Sequence, residues 1–330
     1  MDFGIIGYGR MGRLYHKVLS SLNHNIKFVC DIKNDEVNTK FYTDFKKAID
    51  EEKIEGLIIS TTGPSHYSIL QYAIEKGIKY IVCEKPFTSS VKQADEIIKR
   101  IDNTNIRLAV NYSRRFSQSY QSLKNDLQFK NIIGNPRSMM VSCGAGGLSA
   151  VGTHFFDLCS FLFEDKVESV YAVPINKKLP NPRGKEFEDP GGYVLLNLEN
   201  ETRTFIDMGD DLGLQPIIEI VGEYGRIIID DVEDTIIIKS REITDLDKPK
   251  HLYGLPNPRI KKEIFNMGSL EVLIKELIKN LISNEELKST ANIARKSVEI
   301  YSAIRQSFDT AKPVFLPLHG EYYEKEFMVT

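Results

Sequence analysis

Three glycines near the start of the chain constrain its fold more than any other feature. They follow an apolar, strand-like run and open a segment with helical spacing of apolar residues, in the pattern Gly-x-Gly-x-x-Gly. The loop consists of Gly7, Tyr8, Gly9, Arg10, Met11 and Gly12. In a strand–loop–helix unit the first glycine permits a tight turn, the second admits a pyrophosphate to the backbone, and the third lets the helix pack on the strand. The pattern therefore predicts a dinucleotide-binding loop at a helix N-terminus.

An acidic residue after the next strand-like run indicates which dinucleotide the loop would hold. Asp31 ends the run "IKFVCD" and lies about 20 residues past the glycines, where a carboxylate binds the ribose 2′-hydroxyl of NAD. The same carboxylate would repel the 2′-phosphate of NADP, so NAD is expected. Lys33 follows closely and leaves NADP open. The alternative is that Asp31 is a solvated acid at the end of a strand.

The first part of the chain has the pattern of a parallel sheet. Strand-like runs alternate with helical patterns through residues 1–115, which is typical of a doubly wound, Rossmann-type α/β domain. Ligands bind such sheets at the carboxyl ends of the strands. We therefore expect the chemistry near Thr61, Glu84 and Asn111, and we assign residues 1–115 to NAD(P) binding.

The remainder of the chain has a different pattern. Several strand-like runs follow one another in residues 116–330 without helical patterns between them, which favours an α+β domain with an open, mostly antiparallel sheet. Two amphipathic helices are predicted last, over 270–282 and 291–308. The segment 176–192 is rich in Pro, Gly and charge, and is either a solvated loop or a substrate lid. We expect this second domain to bind the substrate and to mediate oligomerisation.

Composition excludes several functional classes. The chain has 330 residues, enough for two domains, and its net charge of −3 lacks the basic excess of nucleic-acid-binding proteins. No apolar run reaches the roughly 18 residues of a membrane span, and no signal peptide is evident. The four cysteines are widely spaced without a CxxC motif, so neither a disulfide framework nor a zinc site is expected. We therefore predict a cytoplasmic protein without a metal, a membrane or a nucleic-acid partner.

A series of motifs is specific enough to indicate a family. A strand-like run ends in "EKP" at residues 84–86, and the preceding "TTGPSH" carries Thr62, Pro64 and His66. The stretches "NYSRRF", "GTHFFDL" and "IIEIVGEYGRIII" follow later in the chain. Over nearly its whole length, the sequence resembles the Gfo/Idh/MocA family, named for glucose–fructose oxidoreductase, inositol dehydrogenase and rhizopine catabolism.

The resemblance implies an NAD(P)-dependent oxidoreductase that transfers a hydride between nicotinamide and a carbohydrate hydroxyl or ketone. The substrate would be a sugar, a sugar acid or a nucleotide sugar. Two other functions stay open, namely a cofactor-binding regulatory protein without net turnover and an NAD-dependent glycosidase that uses transient oxidation. The family is often oligomeric, so we expect a homodimer or homotetramer formed through the open sheet. The resemblance also implies that the last helix, about 291–309, packs on the first domain.

The same resemblance implies a set of site residues. In the family, the lysine of the EKP motif reaches both the nicotinamide ribose and the substrate hydroxyl, which gives Lys85 a catalytic role. The implied cofactor-binding residues are Gly7, Tyr8, Gly9, Arg10, Met11, Gly12, Asp31, Thr61, Thr62, Pro64, His66, Glu84, Lys85 and Asn111. The implied substrate-binding residues are Lys85, Tyr112, Arg115, Tyr120, His154 and Asp157.

One position departs from the family pattern. The catalytic helix of the family opens with Asp-x-Gly-x-His, whereas "AVGTH" in this chain carries His154 but has Ala150 in place of the aspartate. A histidine suits proton exchange near neutral pH. Asp157 lies three residues after His154 and could orient the imidazole on the same helical face, or it could only hold the helix. We predict Lys85, His154 and Asp157 as the catalytic residues.

Two adjacent arginines favour an anionic substrate. Arg114 and Arg115 lie in "NYSRRF", close to Tyr112 and Tyr120, and guanidinium groups suit carboxylates and phosphates. The alanine at position 150 also removes a negative charge from the expected pocket. Both observations favour a sugar acid or a nucleotide sugar. The alternative is that the arginines clamp the domain interface.

Overall fold

The computed structural model describes most of the chain and contains two sheets. The described residues are 1–33, 37–128, 130, 132–144, 146–175, 181, 184–213, 215–242, 244, 246–248 and 258–329. Within these residues one sheet has six strands and the other has nine. Part of the predicted loop 176–192, namely residues 176–180 and 182–183, lies outside the described residues.

The first sheet is parallel throughout. Its strands are β1 (Asp2–Ile6), β2 (Asn25–Cys30), β3 (Lys40–Tyr42), β4 (Gly56–Ile59), β5 (Tyr80–Cys83) and β6 (Arg107–Val110). They lie in the order β3-β2-β1-β4-β5-β6, which is the strand order of dinucleotide-binding folds. The order reverses between β1 and β4, so a ligand cleft opens at the carboxyl ends of these two strands.

Helices on both faces bury this sheet. They are α1 (Arg10–Ser21), α2 (Phe45–Glu51), α3 (Gly63–Glu75) and α4 (Val91–Ile101). Their ends follow from local chemistry, because Asp44 caps α2 and Ser90 caps α4 by accepting backbone N–H bonds. All four residues of β4 are buried, as expected for a central parallel strand.

Two helical segments connect the sheets. A short 3-10 helix spans Ser113–Phe116, and α5 follows over Gln118–Gln128. The 3-10 helix carries Arg114 and Arg115, and it begins three residues after the end of β6. It therefore places both arginines at the carboxyl edge of the first sheet, facing the second.

The second sheet is antiparallel except for one pair of strands, β7 and β10. Its strands are β7 (Pro136–Ser142), β8 (Val167–Pro174), β9 (Gly192–Leu198), β10 (Arg203–Met208), β11 (Ile217–Gly222), β12 (Gly225–Asp230), β13 (Thr235–Ser240), β14 (Arg259–Ile264) and β15 (Val314–Phe315). Their order is β14-β13-β12-β11-β7-β10-β9-β8-β15. The predicted α/β fold class, with a parallel sheet and a second, mostly antiparallel sheet, is confirmed.

One face of the second sheet is covered and the other is open. The covering helices are α6 (Thr153–Phe163) and α8 (Ala291–Thr310). On the opposite face, Met140, Tyr193 and Phe205 stay exposed although they are large and apolar. This is the alternation expected of an antiparallel sheet with one solvated face.

The last helices return to the first sheet. α7 (Leu270–Ile282) packs on α1, β5 and β6, and its apolar face shares a core with Phe3 and Ile5. α8 lies between α4 and β8 and therefore touches both halves of the molecule. A short helix, α9 (Glu321–Glu324), packs against α4 and α8. The segment that we assigned to the second domain thus contributes α7 to the core of the first.

Candidate active site

The three glycines of the loop after β1 have three distinct surroundings. Gly7 has a φ of +88°, and a Cβ there would lie 2.5 Å from the carbonyl carbon of Ser60. A Cβ at Gly12 would lie 2.0 Å from the carbonyl oxygen of Gly7, so only glycine lets α1 approach the strand this closely. A Cβ at Gly9 would meet no described atom within 4 Å. The turn and the packing need Gly7 and Gly12, while Gly9 leaves the backbone open to a ligand.

The acid predicted to select the cofactor lies beside this loop. One oxygen of Asp31 accepts the N–H of Tyr8 at 2.5 Å, and the other accepts the N–H of Lys33 at 3.0 Å. Within the described chain, no side chain caps the N-terminus of α1, which starts at Arg10 beside Met11. The free N–H groups there suit a pyrophosphate, and the backbone holds the carboxylate of Asp31 beside the loop.

A buried polar network closes the end of the cleft near β5 and β6. The Oε1 atom of Glu84 accepts hydrogen bonds from the hydroxyl of Tyr15 and the amide of Asn111, both at 2.9 Å. Burial, together with Glu84, raises the pKa of Tyr15 well above its usual value. The Oδ1 atom of Asn111 is buried without a partner among the described residues. An orphaned acceptor at this edge fits the amide or hydroxyl donors of a bound nicotinamide riboside.

The residues after β4 brace the loop, and one of them, His66, is fully buried. The imidazole nitrogens of His66 lie 2.8 and 3.1 Å from the carbonyl oxygens of Pro86 and Thr61, and its side chain is fully buried. Burial lowers the pKa of His66. Thr62 precedes α3, and Pro64 lies in its first turn. We therefore assign His66 to tying the β4 loop to the turn after Lys85 instead of the predicted direct contact with the cofactor.

Lys85 follows β5 and reaches across to the second half of the chain. Its Nζ atom donates to the carbonyl oxygen of Ala150 at 2.5 Å. Ala150 lies in a π-helical turn, Leu148–Gly152, which leads directly into α6. The lysine that the resemblance marked as catalytic therefore contacts the turn where the family aspartate is missing.

His154 lies in the first turn of α6 and meets Tyr112. The two rings pack edge to face, with centroids 6.1 Å apart at 86°. The hydroxyl of Tyr112 pairs with that of Thr153 at 3.1 Å, which fixes the tyrosine ring behind the histidine. Burial, followed by the charges of Lys85 and Arg114, holds the pKa of His154 well below its usual value. The imidazole is therefore neutral near pH 7 and can accept a proton.

Asp157 does not serve the histidine as we predicted. Both of its carboxylate oxygens accept from the Nε atom of Arg115, each at 2.9 Å, and both side chains are buried. The guanidinium also lies 4.9 Å from the ring centroid of Phe161. A buried guanidinium needs a paired carboxylate, because an isolated buried charge is very costly. The ion pair replaces both the predicted Asp157–His154 contact and the predicted contact of Arg115 with the substrate.

Tyr120 is likewise an interior residue and not the predicted substrate contact. It is fully buried, and its hydroxyl donates to Asp231 at 2.5 Å. Arg114 donates to the other oxygen of Asp231, at 2.7 Å from Nη2. This triad links the 3-10 helix and α5 to the end of β12. Arg114 still acts on the site, because its charge adds to the effects of burial and of Lys85, which lower the pKa of His154 more.

One residue of the pocket was missed by the sequence analysis. Asp189 accepts the backbone N–H groups of Ser149 and Ala150, at 2.6 and 2.7 Å. It belongs to the loop-like segment before β9, which has no motif that marks a functional acid. The available signal was indirect, since a missing carboxylate at Ala150 makes any acid of a neighbouring loop a candidate replacement.

The described residues show neither a membrane-spanning helix nor a metal cluster. They contain no helix with the length and apolar character of a membrane span. Among the same residues, no group of three or more His, Cys, Asp and Glu side chains could hold a metal ion. All four cysteines are buried free thiols.

The fold and the cleft define the class of protein. A doubly wound sheet with a dinucleotide loop carries Lys85, and this lysine contacts the turn before α6, the helix that carries His154. This arrangement fits an NAD-binding oxidoreductase. Residues 1–112 match the family model GFO_IDH_MocA, described as an oxidoreductase family with an NAD-binding Rossmann fold. This match over the N-terminal part of the chain agrees with the family resemblance that the motifs indicated.

Relatives of the chain extend over its whole length. It is 24% identical to a myo-inositol 2-dehydrogenase of Thermotoga maritima, over 96% of this chain and 98% of that protein. Its structure resembles an oxidoreductase of Agrobacterium radiobacter in complex with NAD+, L-tartaric acid and magnesium, with a TM-score of 0.75, 19% identity and coverage of 96% and 98%. It also resembles the apo scyllo-inositol dehydrogenase of Lactobacillus casei, with a TM-score of 0.75, 17% identity and coverage of 96% and 98%.

Proposed function

We propose that this protein is an NAD-dependent dehydrogenase that interconverts a hydroxyl and a ketone on a neutral, sugar-like polyol such as a cyclitol. The observation that carries the proposal is the pairing of Lys85 with the turn that begins α6. The lysine donates to the carbonyl oxygen of Ala150. Its charge, after burial, also lowers the pKa of His154, which lies four residues after Ala150. The names of the relatives, several of which are inositol dehydrogenases, support a cyclitol.

The two side chains have complementary roles in this proposal. A substrate hydroxyl between them would meet one cation, Lys85, and one neutral base, His154. The base accepts the hydroxyl proton, and the ammonium stabilises the negative charge that develops on the oxygen. Bound NAD supplies the acceptor for the hydride that leaves carbon. Tyr112 holds the imidazole ring in place during the proton transfer.

The arginines favour a neutral substrate over the anionic one that we expected from the sequence. Arg115 is neutralised by Asp157 inside the protein. Arg114 is neutralised by Asp231, and its side chain is only 13% exposed. Neither guanidinium therefore offers an uncompensated charge to a carboxylate or a phosphate. A neutral polyol needs no such charge, because its hydroxyls can bond to paired polar groups.

The direct test is turnover with a defined substrate panel. Purified protein with NAD+ or NADP+ would be mixed with myo-inositol, scyllo-inositol, D-glucose, L-tartrate or a chromogenic glycoside, and both the absorbance of reduced nicotinamide and the release of sugar followed. Net reduction with a polyol is the expected result. Release of sugar from a glycoside without net cofactor change would instead support the transient-oxidation glycosidase. Cofactor binding without either reaction would support the regulatory protein.

Lys85→Ala tests the assignment of the cation. Turnover should fall by about 10²–10⁴-fold, the usual contribution of a placed proton-transfer group, while the affinity for NADH stays close to wild type. Lys92→Ala is the matched control, because Lys92 is a partly exposed lysine paired with Glu324 away from the cleft. Equal turnover in both variants would remove Lys85 from the reaction.

We also propose that residues 116–330 bind the substrate and join copies of the chain into a homodimer or homotetramer. The open face of the second sheet supports this. Phe205 lies directly between Leu195 and Met140 on neighbouring strands, and its ring lies 6.2 Å from that of Tyr193. We further place the protein in the cytoplasm, where its free cysteines would stay reduced.

A further inference from the structure

The turn where the family aspartate is missing is bound on both of its polar sides. Its carbonyl oxygen, at Ala150, accepts from Lys85. On the other side, the N–H of Ala150 donates to Oδ2 of Asp189 at 2.7 Å, and the N–H of Ser149 donates to Oδ1 at 2.6 Å. A carboxylate is therefore bound to this turn, although position 150 lacks one in sequence.

Asp189 reaches this turn because the segment around residues 189–190 packs closely along the segment around residues 147–148. The N–H of Leu148 donates to the carbonyl of Pro190 at 3.3 Å. Gly147 has a φ of +69°, and a Cβ there would lie 2.2 Å from Oδ2 of Asp189. Glycine at 147 is thus required twice, by its backbone conformation and by the approach of the acid. The approach is a built feature of both segments and not a chance surface contact.

The charges around Asp189 couple it to Lys85. Burial raises the pKa of Asp189 to about 6, opposed by its two backbone donors and by the charge of Lys85, and assisted by Asp210. Burial, followed by the charge of Asp189, raises the pKa of Tyr301. Near pH 7 the group is mostly ionised, so a carboxylate is kept on the turn that Lys85 contacts, despite the cost of burial. Retained costs of this kind are typical of functional sites.

We propose that Asp189 is the positioning carboxylate of the proton-transfer site, replacing in space the acid that position 150 lacks in sequence. It acts through Lys85 in two ways. It fixes the turn whose carbonyl holds the ammonium, and its negative charge favours the charged form of the lysine. The proposal rests on the proposed dehydrogenase function and deepens it.

The competing explanation is that Asp189 only caps the turn before α6. Helix-initiating turns commonly bind carboxylates, and a cap contributes stability without touching the reaction. The two explanations differ in what the acid does to the lysine. A positioning carboxylate raises the pKa of Lys85, whereas a cap that acts on the backbone alone leaves it where it is. His154 and His66 also interact with Lys85 electrostatically and are left unchanged in every variant.

The first experiment measures the pKa of Lys85 without using turnover. The rate of acetylation of Lys85 by acetic anhydride, followed by mass spectrometry against pH in the cofactor-free protein, gives its midpoint. Asp189→Asn should lower the midpoint by about one unit, the size expected for loss of a neighbouring opposite charge. Glu188→Gln is the matched control, because Glu188 is the adjacent residue but is exposed and pairs with Arg305. An unmoved midpoint in Asp189→Asn would overturn the proposal.

The second experiment asks whether the acid can be returned to its family position. Asp189→Asn should lower kcat by about 100-fold, the scale of a misplaced reacting group, with NADH affinity within about twofold. Adding Ala150→Asp to this variant should raise kcat at least tenfold above that of Asp189→Asn alone. If the asparagine variant melts early, Asp189→Ser caps the turn with a hydroxyl but without charge, and it should show the same losses.

The outcomes separate this inference from the function on which it rests. A wild-type protein that reduces no cofactor with any polyol would overturn the proposed function, while the acetylation midpoint would still decide whether Asp189 acts on Lys85. An active wild type with an equally active Asp189→Asn would overturn the inference alone. A slow Asp189→Asn with no recovery from Ala150→Asp would overturn the claim that the two positions share one role.

Discussion

Backbone N–H groups hold a single carboxylate at each end of the cleft. At the cofactor end, Asp31 is held by the backbone N–H groups of Tyr8 and Lys33, so its position is fixed before any ligand arrives. At the reaction end, Asp189 is held in the same way by two N–H groups of the turn before α6. In both places backbone N–H groups orient the acid. A substitution that removes its charge should therefore report mainly on the role of that charge.

Removing the charge at position 31 should change cofactor choice. Wild-type protein should bind NADH at least tenfold more tightly than NADPH, because a 2′-phosphate would lie beside the carboxylate. Asp31→Ala should abolish most of that preference, with fluorescence titration of both reduced cofactors as the measurement. Asp44→Ala, which removes only the cap of α2, should leave the ratio alone. Tighter binding of NADPH by the wild type would contradict the assignment.

The raised pKa of Asp189 predicts a pH-dependent stability. The native state holds this proton more tightly than the unfolded chain, so the contribution is fully present below pH 3.8 and is lost as the pH rises through about 6. Relative to Asp189→Asn, the wild type should therefore lose about 2 kcal/mol of unfolding free energy between pH 4 and pH 7. Urea unfolding of both proteins across this range measures the difference. A flat difference would mean that Asp189 titrates normally.

The sequence predicts residues of the site only where a local motif carries them. Lys85 and His154 lie in contiguous motifs whose position relative to a strand or a helix fixes where they point. The partner of Asp157 could not be predicted, because the choice between His154 and Arg115 depends on how the 3-10 helix packs on α6. Asp189 was invisible for the same reason, since it meets Ala150 across 39 residues of chain.

At the scale of elements, buried ion pairs hold the two sheets together around the site. Arg115 on the 3-10 helix binds Asp157 in the middle of α6, and it also donates to the carbonyl oxygen of Lys288 near the start of α8. Arg107 on β6 similarly donates to the carbonyl oxygens of Asn280 and Leu281 at the end of α7. These contacts join helices of the second half of the chain to the edge of the parallel sheet.

The Arg115–Asp157 pair should be structural and not catalytic. Asp157→Ala leaves a buried guanidinium unpaired and should cost about 3–5 kcal/mol of unfolding free energy. Arg115→Met in the same chain should restore part of the loss. Glu276→Ala, which breaks the partly exposed pair with Lys279, should change stability little. The pH profile of kcat in the surviving enzyme should keep its acidic limb, and a shifted limb would return Asp157 to the mechanism.

Element prediction succeeded where periodicity was strong. α7 has the predicted bounds, because it has a long apolar stripe and a serine cap. β3 and α2 were missed, since a strand of three residues and a helix of seven carry too little pattern. β14 was missed because all of its residues are exposed and most of them are charged, as suits an edge strand that must avoid other edges.

At the scale of the whole molecule, the chain crosses between its two halves more than once. The parallel sheet is laid down first, the second sheet follows, and α7 then returns to complete the core of the first. The two kinds of sheet could be predicted because strand and helix patterns change near residue 115. The return of α7 could not, because an amphipathic helix does not reveal which sheet it will cover.

The open face of the second sheet should be an interface between copies of the chain. Phe205→Asp puts a charge at the centre of its apolar row and should convert the oligomer to monomers, as measured by sedimentation velocity. Val232→Asp is the control, because Val232 is exposed at a turn outside that face. A monomeric wild type, or an oligomer untouched by Phe205→Asp, would show that this face joins no second copy.

In laboratory evolution, Gly147 and Asp189 should behave as one coupled pair of positions. Any side chain at 147 collides with the carboxylate of Asp189. In a library with every substitution at 147, each variant should therefore lose about as much activity as a variant without the acid, whatever the size of the new side chain. The effect of a substitution at 147 should depend on Asp189. Once Asp189 has been removed, a small residue at 147 should destabilise the protein only through its backbone strain. Libraries that vary 147 and 189 together but keep Ala150 should therefore contain few variants with improved activity. Libraries that also allow Ala150→Asp should contain more, because a carboxylate at 150 could take over the role of Asp189.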